Sequence, residues 1–261
     1  MKSMIFETHA HYDDEQFDED RDELLKSFTK NNIEYVINSG ASFKGCQDTV
    51  ELCERYDFMY GSLGIHPENA YELTENVYDY IKEQAAENRK IVAIGEIGLD
   101  YYYDDVPKDV QKDVFCRQLD LALELGKPVV IHSREAAADT FEIIKSYAVH
   151  GLRGTIHCYS YSSEMAKEYV KLGFMLGIGG VVTFTNAKNI QKVVEEISLD
   201  NMVLETDSPY LSPVPFRGKR NSALNIRYVA QKIASIKDVS YDKVLSVTNE
   251  NAKRLYFKHA R

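Results

Sequence analysis

The sequence predicts an α/β fold, a (β/α)8 barrel filling residues 1–261 as one domain. Three observations carry this. Short apolar runs alternate with longer amphipathic stretches, so that strand and helix follow one another eight times. The chain has 261 residues, a length that such barrels fill as a single domain. Five of the seven histidines stand just after apolar runs, where a barrel gathers its chemistry at the C-terminal ends of its strands. The runner-up is an open doubly wound sheet, which would hold the first and last strands apart.

The first run, Met4–Phe6, leads into His9-Ala10-His11. Tyr35–Asn38 and Met59–Gly64 are the second and third, and His66 follows the third. Val92–Gly95 is closed by Glu96, Val129–Ile131 by His132 and Gly154–Ile156 by His157. Phe174–Gly177 is the seventh strand, and Met202–Leu204 the eighth, running on to Asp207. The clearest helix is Asp109–Leu125, with Phe115, Leu119, Ala122 and Leu125 on one stripe. Gly126 and Pro128 stop it, as a C-cap glycine and a following proline do. Ser133 is placed to N-cap the helix after His132. Gly177-Ile178-Gly179-Gly180 lacks a Walker lysine and reads as the turn after the seventh strand. Ser208–Leu224 holds Pro209, Pro213 and Pro215 together with Arg217, Lys219 and Arg220, and Arg227 follows; it reads as a long ordered loop at the barrel mouth.

The net charge of −10 argues against broad coating of nucleic acid. It leaves room for an enzyme acting on a nucleic-acid end, because bound cations reverse the local field. The four cysteines form no C-x-x-C pair and read as reduced thiols of a cytoplasmic protein. Cys46 and Cys53 share one helical face, which favours packing, and Cys158 points away from its neighbour His157. No apolar run approaches the roughly 20 residues that span a bilayer, and Met1–Glu7 has no signal-peptide core. Nothing marks a membrane or an obligate protein partner.

His9 and His11 stand at i and i+2 of an extended segment, so both imidazoles face one way and can hold one metal ion. Glu96 has two oxygens and can bridge two cations, and its flanking glycines permit close backbone approach. His132 and His157 end neighbouring strands and can hold a second ion with Glu96. Asp207 can both ligate the first ion and accept a proton from water. Glu205 shares its face by alternation and supports the ligands from behind. Asp100 either orients a ligand or caps the next turn, and Asp13 belongs to an exposed acidic loop. His150 and His259 receive no role. Imidazoles and carboxylates so gathered point to a metal-dependent hydrolase.

His9-Ala10-His11, Gly64-Ile65-His66-Pro67, Gly95-Glu96-Ile97-Gly98-Leu99-Asp100, His132-Ser133-Arg134, Glu205-Thr206-Asp207-Ser208-Pro209-Tyr210, Arg217-Gly218-Lys219-Arg220-Asn221 and Asn251-Ala252 occur in series along the chain. Together they resemble the TatD family of metal-dependent deoxyribonucleases. The resemblance implies a TIM barrel of the amidohydrolase type and hydrolysis of phosphodiester bonds, often from a DNA 3′ end. It implies one or two divalent ions held by His9, His11, Glu96, His132, His157 and Asp207, with Asp207 and Glu96 in catalysis. Activation by magnesium or manganese is implied, with zinc, nickel or iron as alternatives that imidazole ligands favour. His66 and Arg134 become phosphate contacts, and Lys219 and Arg220 contacts to the DNA backbone. Three positions depart from the family pattern: Glu7 where aspartate is usual, Ser222-Ala223 where an acidic residue and proline are usual, and Tyr159 where phenylalanine is common. A related enzyme acting on a small ester or amide is the alternative, and a non-catalytic metal-binding protein a third reading.

Overall fold

A computed structural model of the chain describes residues 3–257. Its strands are β1 (Ile5–Ala10), β2 (Ile33–Ser39), β3 (Met59–Leu63), β4 (Ile91–Asp100), β5 (Val129–Arg134), β6 (Gly154–Ile156), β7 (Met175–Ile178) and β8 (Met202–Leu204). They form one sheet in chain order. Helices α1 (Arg21–Ser27), α2 (Phe43–Arg55), α3 (Glu75–Glu87), α4 (Lys108–Leu125), α5 (Ala137–Ala148), α6 (Ser163–Lys171) and α7 (Lys188–Glu196) separate successive strands, and α8 (Ile226–Lys237) and α9 (Tyr241–Tyr256) follow β8. β1 meets the chain leaving β8, where Ala10 bridges Ser208 in parallel and His11 N–H donates to the Ser208 carbonyl at 2.7 Å. This is the predicted (β/α)8 barrel, and an open sheet that separates its first and last strands is ruled out. Among the described residues no helix is long and apolar enough to cross a membrane. His259 lies outside the described residues.

Three strands run further than their apolar residues. β1 includes His9, β4 continues through Glu96 to Asp100, and β5 continues through His132 to Arg134. The ladder explains this, because Gly98, Leu99 and Asp100 pair with His132, Ser133 and Arg134. Backbone hydrogen bonding carries on where hydrophobic side chains stop, so apolar periodicity marks only the first part of each strand. Ser133 is therefore a strand residue and caps no helix. Its hydroxyl lies 2.9 Å from that of Thr140, and α5 begins after Ala136. The glycine run after the seventh strand also shifts: Gly177 and Ile178 belong to β7, and a short 3-10 turn starts at Gly180.

The packing divides into two compact units. The first comprises residues 3–38, 158–171 and 175–254. In it Tyr12 packs against Phe17 and Phe28, with ring centroids 5.0 and 5.4 Å away, and its hydroxyl accepts from Ala223 N–H. The buried Asn251 on α9 donates to the carbonyls of Leu199 and Met202 at 2.9 and 2.8 Å, fixing the start of β8. The second unit comprises residues 39–157, 172–174 and 255–257. Cys46 and Cys53 are buried together on α2 there, as their spacing predicts.

Asn251→Ala leaves two buried carbonyls without their donor. It is expected to cost about 1–3 kcal/mol, read as a lower midpoint in urea unfolding. An unchanged midpoint would show that β8 is seated by other contacts.

Candidate metal centre

Glu7 and His9 alternate with Thr8 along β1, so they share one face while Thr8 turns away and donates to the Leu204 carbonyl at 3.0 Å. His9 Nε2 lies 3.1 Å from His11 Nε2, and both lie 3.6 Å from Asp207 Oδ1. Two imidazole lone pairs at that separation repel unless one nitrogen carries a proton or a cation sits between them. Metal–ligand bonds of about 2.0–2.2 Å match three donors so spaced. The donor set fits a metal ion. The His9 side chain is only 1% exposed, whereas Asp207 keeps 17%, so Asp207 is the member of the cluster that water reaches more freely.

Asp207 owes this position to a backbone turn. β8 ends at Leu204, and Asp207 takes a left-handed conformation with φ of 58°. Its N–H donates to the His9 carbonyl at 3.0 Å, and its own carbonyl accepts from Tyr210 N–H at 2.7 Å. The alternation that put Glu205 and Asp207 on one face does not hold, because the segment is no longer extended. Glu205 turns inward instead, is fully buried, and accepts from Cys158 N–H at 2.6 Å. Gly177 makes room for it: a Cβ there would lie 2.1 Å from Glu205 Oε2. Glu7 accepts from Thr206 N–H at 2.8 Å and His9 N–H at 3.3 Å, tying β1 to the segment after β8. Burial pushes its carboxyl up to about 8 despite these bonds. The buried Asn221 amide completes the frame by donating to the carbonyls of Thr206 and Tyr210.

The second unit carries a second cluster. Glu96 Oε1 lies 3.0 Å from His132 Nδ1, 3.8 Å from His157 Nε2 and 3.9 Å from His66 Nε2. His132 Nε2 meets Asp100 Oδ2 at 2.9 Å, and His66, Asp100 and His132 together form a possible ligand group. Burial opposes charge on His132, but its bonds to Asp100 and Glu96 outweigh burial and raise its pKa to about 9 in the metal-free protein. Asp100 shows the converse. Burial pushes it up, yet the His132 and Tyr102 hydrogen bonds hold it below the usual carboxylate range. Ligation by His132 requires it to give up its proton. Gly98 allows this crowding, since a Cβ at its φ of 148° would lie 1.9 Å from the His132 carbonyl oxygen.

The sequence undervalued Asp100, which both meets His132 and accepts from Tyr102 N–H. His66, expected as a phosphate contact, packs its ring edge-on against His132 at 4.3 Å. Asp13 is no free acidic loop residue but accepts from Asn38 Nδ2 at 2.8 Å. Arg220 is engaged by Asp20 through two bonds of 2.7 and 2.6 Å and lies over the Phe17 ring. Lys219 is exposed near Phe216, and Arg134 lies 3.7 Å over the Tyr102 ring.

The sequence profile described as TatD related DNase matches residues 6–257. The chain belongs to the TatD family. It is 43% identical over 253 residues to the uncharacterized metal-dependent hydrolase YabD of Bacillus subtilis strain 168, covering 97% of this chain and 99% of that one. It is 34% identical over 257 residues to the uncharacterized metal-dependent hydrolase YcfH of Escherichia coli K12, covering 97% and 95%. The crystal structure of YJJV, a TatD homologue from Escherichia coli K12, superposes with a TM-score of 0.91 at 27% identity, covering 98% and 99%. This TatD chain thus stands among metal-dependent hydrolases, with two donor clusters suited to a metal.

Gly177→Ala puts a methyl group onto the Glu205 carboxylate. Overpacking of this kind costs about 1–3 kcal/mol, so a lower melting temperature is expected in the metal-free protein. Melting unchanged from wild type would show that Glu205 has room to move.

Proposed function

We propose that this protein hydrolyses phosphodiester bonds of DNA, at a 3′ end or in a single strand, with one or two divalent metal ions. The observation that carries the reading is the His9–His11–Asp207 donor set in a TatD chain. His9, His11 and Asp207 would hold one ion, and Glu96, His132 and His157 the other. Magnesium or manganese would serve in solution, and imidazole donors also suit zinc, nickel or iron. A divalent ion bound there supplies Lewis acidity, drawing charge from a phosphoryl oxygen and making water easier to deprotonate.

The chain's own groups do the rest. Asp207, reachable by water, takes the proton as the nucleophile forms. Glu7 holds the backbone that aims Asp207 and His9, and Glu205 holds the Cys158 N–H beside His157. His66 and Arg134 receive the phosphate, and Lys219 the neighbouring backbone charge. Arg220, engaged by Asp20, shapes the loop that carries Lys219. Charge attraction to the DNA backbone rests on these cations, and it weakens as salt rises because counterion release on binding becomes less favourable.

The test is a panel of single-stranded DNA, duplex DNA, RNA and small esters and amides, each with magnesium, manganese and zinc. Release of nucleotides from DNA 3′ ends, declining with salt, is expected. Turnover of esters or amides with none of DNA would replace the nuclease reading by an amidohydrolase one.

Asp207→Asn keeps the shape and one oxygen but removes the charge and most of the basicity. Loss of a placed general base costs about 10²–10⁴-fold in rate, so near-complete loss of turnover at saturating metal and substrate is expected. Turnover within a few-fold of wild type would show that Asp207 is not the proton acceptor.

A further inference from the structure

Three consecutive tyrosines follow Asp100, and the structure uses them differently. Tyr101 is spent internally: its hydroxyl donates to Asp139 at 2.7 Å, and Lys108 Nζ lies 4.3 Å from its ring centroid. Tyr102 and Tyr103 turn outward and remain 51% and 44% exposed. Their rings meet edge to face at 4.8 Å and 89°. The Arg134 guanidinium lies 3.7 Å over Tyr102 and 5.2 Å from the Tyr103 centroid. Grouped exposed aromatic surface marks contact with another molecule more often than single exposed rings do.

This patch is built on strand ends. Tyr101 N–H donates to the Arg134 carbonyl at 2.9 Å, and Asp100 pairs with Arg134 in the β4–β5 register. Tyr102 N–H donates to Asp100 Oδ1 at 2.9 Å, while Asp100 Oδ2 meets His132 Nε2 at 2.9 Å. The platform is therefore two hydrogen bonds from His132.

We propose that Tyr102, Tyr103 and Arg134 form a stacking platform for an unpaired nucleobase of the substrate strand, beside the His132–Asp100 pair. The proposal rests on the nuclease reading above and narrows its substrate class. The exposed Tyr102 ring offers a flat surface that matches a π system, Tyr103 meets it edge to face, and the Arg134 cation beside it at 3.7 Å serves the adjoining phosphate. The charge balance argues the same way. A protein with a net charge of −10 gains little from general attraction to a polyanion, and base stacking supplies affinity that does not depend on charge. Bases within a duplex are already stacked on each other, so the platform selects single strands or frayed ends that carry bases.

The chain has no tryptophan among its fluorophores but 18 tyrosines, so Tyr102→Trp installs a single tryptophan on the platform that selective excitation reads apart from the tyrosines. The metal-free variant is titrated with a short thymidine oligomer and with an abasic oligomer of equal length. Saturable quenching by the thymidine oligomer but not the abasic one is expected. No quenching, or equal quenching by both, overturns the platform. In parallel, Tyr102→Ala is expected to raise KM for single-stranded DNA about tenfold, to leave KM for an abasic 3′ end unchanged, and to be rescued by Tyr102→Phe. Equal effects on both ends also overturn it. The two readings fail separately. Wild-type cleavage of DNA without this discrimination removes the platform alone. Base-dependent quenching with no DNA cleavage by the wild type removes the nuclease reading and keeps the platform.

Discussion

His11 N–H donates to the Ser208 carbonyl at 2.7 Å, and Asp207 N–H donates to the His9 carbonyl at 3.0 Å. These two backbone bonds join the start of the chain to the segment after β8. Through them His9, His11 and Asp207 become neighbours although some two hundred residues separate them in sequence. Glu7 reinforces the seam by accepting from Thr206 N–H, and Asn221 secures its far side. The chemistry of the first cluster depends on this closure, because a donor set assembled from both ends of the chain exists only while the ends stay joined.

A second demand follows from burial. Glu7, Glu96, Asp100 and Glu205 are all removed from solvent, and a buried carboxylate is costly unless it is paired. The structure meets that cost in different ways. Glu7 takes backbone N–H donors and is pushed toward its neutral form. Glu205 takes one backbone N–H in space that only Gly177 leaves open. Glu96 and Asp100 share His132, which burial would leave neutral and which they hold charged.

The acidic balance of the chain and its exposed planar surface fit one another. Arg220, read from the sequence as a free loop cation, is engaged by Asp20. Arg134 lies 3.7 Å over the exposed Tyr102 ring.

Much of this was legible in the residues alone. Alternating apolar and amphipathic runs determined the barrel, since strands covered on both faces by helices read as short apolar stretches. Polar groups directly after those stretches determined His9, His11, Glu96, His132 and Asp207 as candidates, because strand ends are where this fold gathers reactive side chains. Tertiary structure decided the rest. Strand ends ran past their apolar residues because the β4–β5 ladder continues under polar side chains, which moved Ser133 out of a cap and Asp100 into a cluster. Glu205 and Asp207 parted because a left-handed residue broke their alternation. Arg220 met Asp20, a partner two hundred positions away that local pattern does not reveal. Periodicity reports which face a residue takes within its own element, and hydrogen bonds between distant segments decide what it meets there.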